Sequence, residues 1–447
     1  MAKSPESPIK GIYCNREYSW LLFDRRVLDQ ASDISNPLLE RCKFLAIFQS
    51  NLDEFFMVRV GSLLNEKRLA PDARENKTQL TAEEQLDIIL AEVKKLYKES
   101  ASVYQTIAKE LNARGVRLMR PHELSPRKRT LCLNYFLSAV LPLLSPMVLD
   151  AKHPLIRFEN QHIYLVYELL RDGRPMIGVM AVPSSAERLF RIPGGRKVNL
   201  ITLEDLVSEF GTLAFPGYTV VSKTLVRVTR NADFDTRVDD TDLEHDFDFS
   251  SYMKHKVENR SRQDAVRVEI DKNGGAVKSF LLENLDLKKQ YCFKLEGYMD
   301  YKFLFSLERY FEEKELSSLR YAPFKGRVAE DLLPPQSLIA RVKEGDVFLS
   351  YPYDSMEPLI RLLNECAEDE RVVSVKITIY RLDRHSRIVE ALKRASENGK
   401  EVTVVIELCA RFDEENNMYF ASVLKEAGCT IIYGMQNFKV HSKIISI

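Results

Sequence analysis

Val373-Ser374-Val375-Lys376-Ile377-Thr378-Ile379-Tyr380 opens the stretch whose reading decides the fold. From there to Ile447 the chain predicts strand, helix, strand, helix, strand, tight turn, strand. The first three strands fall at Val373–Tyr380, Val402–Leu408 and Thr430–Tyr433, each with the β-branched run of a buried parallel strand. Helices are expected over Arg387–Asn398 and Glu414–Ala427. Gly399 and Gly428 follow them at the position where a left-handed residue ends a helix. Arg381 stands just past the first strand and Arg411 just past the second. Ligands of open α/β sheets gather at the carboxyl ends of strands. Two guanidinium groups there point to a phosphate or carboxylate ligand.

The last piece is Lys439-Val440-His441-Ser442-Lys443-Ile444-Ile445-Ser446-Ile447. Side chains alternate faces along a strand, so His441 and Lys443 share one face. A cation beside an imidazole favours its neutral, nucleophilic form and holds a phosphoryl oxygen for attack. His-x-Lys alone is a weak signal, more often met by a strand-edge histidine with a solvated lysine; the two strand-end arginines shift the balance toward phosphoryl chemistry. The short connection Gly434–Asn437 permits a hairpin and not a parallel crossover. The last strand is therefore expected to run antiparallel to its predecessor, with His441 at the same sheet edge as Arg381 and Arg411.

Ile379-Tyr380-Arg381, Glu407-Leu408-Cys409-Ala410-Arg411-Phe412-Asp413-Glu414-Glu415 and Lys439-Val440-His441-Ser442-Lys443 resemble motifs of the long, multi-domain polyphosphate kinases. Upstream, Glu17-Tyr18-Ser19-Trp20-Leu21, Ser35-Asn36-Pro37-Leu38 and Ser50-Asn51-Leu52-Asp53-Glu54-Phe55-Phe56 are similar to that family's first signature. The resemblance implies reversible transfer of the terminal phosphate of ATP to inorganic polyphosphate, with His441 as phosphohistidine nucleophile and Lys443 beside it. It places Asn51 at the adenine end of ATP, and Mg²⁺ near Arg381 and Arg411. Arginine is a poor ligand for a hard cation, so these two are expected to touch metal-bound phosphates. The family builds its catalytic half from two phospholipase-D-like domains. The sequence stops inside the strand bearing His441, which implies a C-terminally truncated chain unable by itself to sustain polyphosphate synthesis.

Composition bounds the alternatives. The chain has 447 residues, enough for about three domains. With 65 basic and 65 acidic residues its formal charge is zero, so any anion site must be local, and no nucleic-acid partner is expected. Seven cysteines without paired spacing argue for reduced thiols, a cytoplasmic setting and no structural zinc. Met1–Lys10 lacks the apolar core of a signal peptide. The longest apolar run, Tyr135–Leu149, is broken by Pro142 and Pro146 and too short to span a bilayer. Peripheral membrane association stays open.

The fold class expected is multidomain: an all-α N-terminal domain over 1–115, an α+β middle or head domain over 116–322, and an incomplete α/β phospholipase-D-like domain over 323–447. Asn36 with Pro37 reads as a helix start, and Thr81 with Glu84 as a capping box. An apolar stripe from Leu86 to Leu111 follows, ended by Gly115, and Arg68–Lys77 reads as a loop. Asn51 with Glu54 reads as a second cap, compatible with presenting its amide to a ligand. In the middle region strands are expected at Ile163–Leu169, Met176–Pro183, Tyr218–Val228 and Ala265–Ile270, and helices at Leu203–Phe210 and Gly275–Leu285. Asp233–Phe249 reads as a solvated acidic segment, and Arg260-Ser261-Arg262 as a surface run, although the resemblance places it in a head domain that mediates dimer contacts; a homodimer or homotetramer is implied. A strand at Val347–Ser350 and a helix over Leu359–Ala367, capped by Asp354 or Ser355, lead into the terminal array. No Walker-type or Gly-x-Gly-x-x-Gly loop occurs. A phospholipase-D-like hydrolase using water, or a non-catalytic interaction module, are the competing readings.

Overall fold

A computed structural model describes residues 7–149, 156–232, 263–272, 275–408, 410, 413–434 and 439–447. Two compact units emerge, one of Met1–Asp233 with Ser261–Ala322 and one that includes Pro323–Ile447. Asp233–Phe249 and Arg260–Arg262 lie outside the described residues, as does Arg411.

The first unit begins with helices α1 (Arg16–Ser32), α2 (Leu38–Phe55), α3 (Gly61–Leu69) and α4 (Ala82–Ala113). The capping box at Thr81 and Glu84 forms as expected, and the stripe Leu86, Ile89, Leu90, Val93, Leu96, Ile107 and Leu111 is buried. Gly115, at φ +91°, closes the end of α4. Two expected caps do not form. Asn51 sits inside α2, which runs on into a π-helical turn, Phe56–Val60. The reason is periodicity: Leu45, Phe48, Leu52 and Phe55 continue one buried face straight through the polar residues, and that burial outweighs a local capping preference. At the start of α2, Pro37 takes the cap position, and the Asn36 amide instead donates 2.9 Å to the Gln30 carbonyl at the end of α1.

A six-stranded sheet follows, with strands β1 (Met147–Leu149), β2 (Ile163–Arg171), β3 (Arg174–Ala181), β4 (Thr219–Arg230), β5 (Ala265–Ile270) and β6 (Cys292–Lys294). Its order is β6-β5-β4-β2-β3-β1, antiparallel except for the β5–β6 pair. Helices α5 (Leu203–Phe210) and α6 (Gly275–Asn284) stand close to their expected bounds. Alternation divides the sheet's faces. Val226, Val228, Val268 and Ile270 pack with Val277 and Leu281 of α6. The intervening Arg227, Arg267 and Glu269 belong to the other face and are fully buried. They meet Asp53 of α2 and Tyr97 of α4. One continuous apolar core joins the helical region to this sheet, from Leu45 and Leu96 to Val266 and Phe293.

In the second unit no strand forms at Val347–Ser350. The Asp354 carboxylate accepts the Ser350 amide at 2.8 Å, folding that segment into a turn. Ser355 Oγ accepts the Glu357 amide at 3.1 Å, at the start of α7 (Glu357–Glu368). Strands β7 (Ser374–Ile379), β8 (Glu401–Ile406) and β9 (Thr430–Ile432) are parallel, joined through α8 (Arg387–Glu397) and α9 (Glu414–Glu426). Val375, Ile377, Ile379, Val402, Val404 and Ile406 bury one face against Val389, Leu392, Phe420 and Leu424 of the two helices. The alternate residue Lys376 is exposed, so burial is one-sided rather than the two-sided burial the β-branched runs suggested.

The last strand, β10 (Ile445–Ser446), runs antiparallel as expected, but not as a hairpin partner of β9. It pairs with β7, giving the order β9-β8-β7-β10. Thr378 explains the choice. Its amide donates to the Ile444 carbonyl at 3.0 Å, while its hydroxyl donates to Ser442 O at 2.7 Å and accepts from Ile444 N at 3.0 Å. No described helix is long and apolar enough to cross a membrane.

Candidate active site

Tyr380 follows β7 directly and is half-buried at the carboxyl edge of the sheet. Three basic side chains gather around its ring. The His441 imidazole stands edge-on, centroids 5.1 Å apart and planes at 73°. Lys443 Nζ lies 4.9 Å from the ring centroid, and Arg381 Cζ lies 5.4 Å from it. His441 and Lys443 thus share a side, though only Ile445–Ser446 of their segment is regular strand. Arg381 Nε pairs with Asp413 Oδ2 at 2.8 Å, just ahead of α9. Lys443 Nζ also donates to the His441 carbonyl at 2.5 Å. All three basic side chains reach solvent.

Beneath this exposed set lies a buried polar layer that sequence reading did not assign. The Glu407 carboxylate, at the end of β8, accepts the Val440 amide at 2.7 Å. Asn417 of α9 donates to Tyr380 O at 2.8 Å and to Glu407 O at 2.7 Å. Asn416 donates to Leu382 O at 2.9 Å. The available signal was the Asn416-Asn417 pair inside an otherwise amphipathic helix, because asparagine is a poor helix former and is kept there by its side-chain bonds.

Asn51 lies in the first unit, half-buried on α2. Its Nδ2 donates to Asp24 Oδ1 at 3.0 Å. Asp24 is fully buried, and its other oxygen, Oδ2, has no hydrogen-bond partner. Burial pushes the Asp24 carboxyl up to about 7, against the opposing effect of the Asn51 bond. One residue along the signature from Leu52, Asp53 has the opposite fate. Burial disfavours its charge, but Arg227 and Arg267 outweigh that and hold the carboxyl below the usual range. Asp53 receives Arg227 Nη1 at 2.9 Å and Arg267 Nη2 at 2.5 Å, with Lys302 Nζ at 3.5 Å. Arg267 lies 4.4 Å over the Phe56 ring, and Tyr97 OH donates to Glu269 at 2.7 Å.

Among the described residues no group of three or more His, Cys, Asp or Glu side chains has the arrangement of a metal site. The side chains around Tyr380 are cationic or already committed: Asp413 to Arg381, Glu407 to Val440. That donor set suits phosphate oxygens and does not fit direct ligation of Mg²⁺, which takes oxygen ligands.

Three family models match successive segments of the chain: the polyphosphate kinase N-terminal domain over residues 13–119, the middle domain over 127–307, and C-terminal domain 1 over 337–447. The polyphosphate kinase of Staphylococcus haemolyticus is 36% identical over 437 residues, covering 97% of this chain and 59% of that protein. That of Bacillus cereus is 36% identical over 446 residues, covering 97% and 62%. The crystal structure of polyphosphate kinase from Porphyromonas gingivalis superposes with a TM-score of 0.77 at 25% identity, over 97% of this chain and 61% of that one. The chain therefore spans less than two thirds of the length of these relatives. With three of the family's domains following one another in order, and with similarity extending along 97% of its length, the chain belongs to the polyphosphate kinase family.

Proposed function

We propose that this chain carries the histidine-bearing part of a reversible ATP–polyphosphate phosphotransferase, with His441 as the nucleophile. The observation that carries the reading is the gathering of His441, Lys443 and Arg381 around Tyr380 at the carboxyl edge of β7. An imidazole nitrogen attacks the terminal phosphorus of ATP, the bond to the bridging oxygen breaks, and ADP departs with that electron pair. A terminal oxygen of polyphosphate then attacks the phosphohistidine, the P–N bond breaks, and the imidazole is regenerated. Lys443 and Arg381 face the charge on the transferring group, and the resemblance in motif supports the same role for Arg411. Positioning and charge neutralisation are the main sources of phosphoryl-transfer catalysis, and a covalent intermediate lets one site serve donor and acceptor in turn.

Asn51 is assigned to the adenine end of ATP by its place in the first signature. One hydrogen of its amide nitrogen is engaged by Asp24, and its carbonyl oxygen is the group suited to accept from the adenine amino group. Mg²⁺ belongs with the nucleotide phosphates rather than with protein carboxylates here. A homodimer or homotetramer rests on the family resemblance alone. The deciding experiment is acid-labile labelling of the protein from γ-labelled ATP. Labelling is expected in the parent and absent in His441→Ala with its circular dichroism unchanged; retained labelling would point to a different nucleophile.

A further inference from the structure

We propose that Glu407 is the positioning residue of the histidine segment: its buried carboxylate holds Val440 and so sets His441 against Tyr380 and Arg381. The inference rests on the reading of His441 as the nucleophile and deepens it by naming what aims the imidazole.

The segment Lys439–Ile444 has no regular strand ladder of its own. Its backbone is held on both sides of His441, with Ile444 also bonded to Thr378 further on. On one side the Glu407 carboxylate accepts the Val440 amide at 2.7 Å. On the other, Thr378 Oγ1 donates to the Ser442 carbonyl at 2.7 Å. The residue between these tethers is His441.

Glu407 is itself rigidly mounted. It is 5% exposed, a burial that a glutamate tolerates only when its oxygens are engaged. Its amide donates to the Ile379 carbonyl at 2.9 Å, and its carbonyl accepts from Asn417 at 2.7 Å. The same Asn417 amide group donates to Tyr380 O at 2.8 Å. One fully buried asparagine therefore fixes the ends of both β7 and β8, and Glu407 transmits that fixed point to Val440. A carboxylate bonded to a backbone N–H is a charge-assisted contact, stronger than a neutral one. The imidazole and the two cations it works with are thus referenced to one buried layer, although His441 lies on an exposed segment. Near-attack geometry is sensitive: a misplacement of about 1 Å costs on the order of 10²-fold in rate.

The test compares Glu407→Ala with Glu407→Gln in the phosphotransferase. The Gln side-chain oxygen can still accept the Val440 amide; alanine cannot. Glu407→Ala is expected to lower the single-turnover rate of acid-labile labelling by about 10²-fold at an unchanged KM for ATP, the pattern of an interaction expressed in the transition state. Glu407→Gln should recover most of that loss. Hydrogen exchange read at the Val440 amide, on a peptide that begins upstream of it, should show protection lost in Ala and kept in Gln, with β7 and β8 unchanged. Should Glu407→Ala fail to fold, Glu407→Asp makes the same comparison, since charge stays and reach is lost. Retained protection in the Ala or Asp variant would show that the tether does not hold the segment. Lost protection with an unchanged labelling rate would show that it does not aim the nucleophile. Either result overturns the proposal while leaving His441 as nucleophile. Retained labelling in His441→Ala would instead remove the nucleophile reading, and this proposal with it.

Discussion

The imidazole of His441 stands edge-on to the ring of Tyr380, 5.1 Å between centroids, although 60 residues of strand, helix and turn separate them in sequence. The same ring faces Lys443 at 4.9 Å and Arg381 at 5.4 Å. A phenol ring is a poor phosphate ligand but a good platform for cations, because its face carries negative electrostatic potential. Tyr380 thus relates the three groups proposed above to act on one phosphate.

Replacing Tyr380 with leucine should therefore lower the single-turnover labelling rate by about tenfold, since two cation–ring contacts of about 0.5–1 kcal/mol each are lost. Tyr380→Phe keeps the ring and should stay close to the parent. Equal rates in the Leu and Phe variants would show that the ring does not organise the site.

Arg381 pairs with Asp413 through Nε and lies over Tyr380, so charge alone does not describe it. Arg381→Ala is expected to cost about 10³-fold or more in phosphotransfer, the scale of a lost phosphate-stabilising arginine. Arg381→Lys should recover only part, because lysine lacks the planar fork. Steady-state kinetics with ATP and polyphosphate compare the three; full activity in Arg381→Lys would reduce the residue to a point charge.

Asp53 pairs with two guanidinium groups that are wholly inside the first unit, sharing them with Glu269. Asp53→Ala leaves two buried guanidinium groups to one carboxylate, Glu269, and breaking a buried pair costs about 3–5 kcal/mol. The urea midpoint at pH 7 should fall accordingly. The sign with pH follows from a carboxyl held below its ordinary range: its contribution is present at neutral pH and is lost as acid protonates it. An unchanged midpoint would mean that Glu269 and Tyr97 suffice for Arg227 and Arg267.

Asp24 has the opposite sign. Its folded carboxyl is raised from 3.8 to about 7, so the folded state favours the protonated form. Stability from this group is fully present below pH 3.8 and is lost as pH rises to about 7, a difference on the order of 4 kcal/mol. Asp24→Asn keeps an acceptor for the Asn51 amide without the charge. It should raise the melting temperature more at pH 8 than at pH 5, measured by calorimetry. A gain that is the same at both values would show that Asp24 is ionised in the folded protein throughout.

Much of the fold was legible locally. The α9 helix starts at Glu414 as expected and α8 at Arg387; Gly399 and Gly428 take positive φ where a helix ends; the Thr81 box forms. These features depend on residues within about one turn of each other, where hydrogen-bond geometry and apolar period leave few choices. His441 and Lys443 sharing a side was legible for a related reason, since alternation in an extended chain does not need a regular ladder. The Asn51 cap failed because capping preference and apolar period conflicted within one segment, and burial of Leu52 and Phe55 prevailed.

By itself, then, the sequence determined the order and type of most elements, though not the turn at Val347–Ser350 or the unbroken α2, together with the His-x-Lys segment and the presence of basic residues at strand ends. Tertiary structure decided which edge β10 joins, that Arg227, Arg267 and Glu269 face inward to Asp53, and that Glu407 reaches Val440. Each of these is a pairing between residues distant along the chain, fixed by competition among edges and by the need of a buried charge for a partner. Neither constraint leaves a period or a cap in the local sequence.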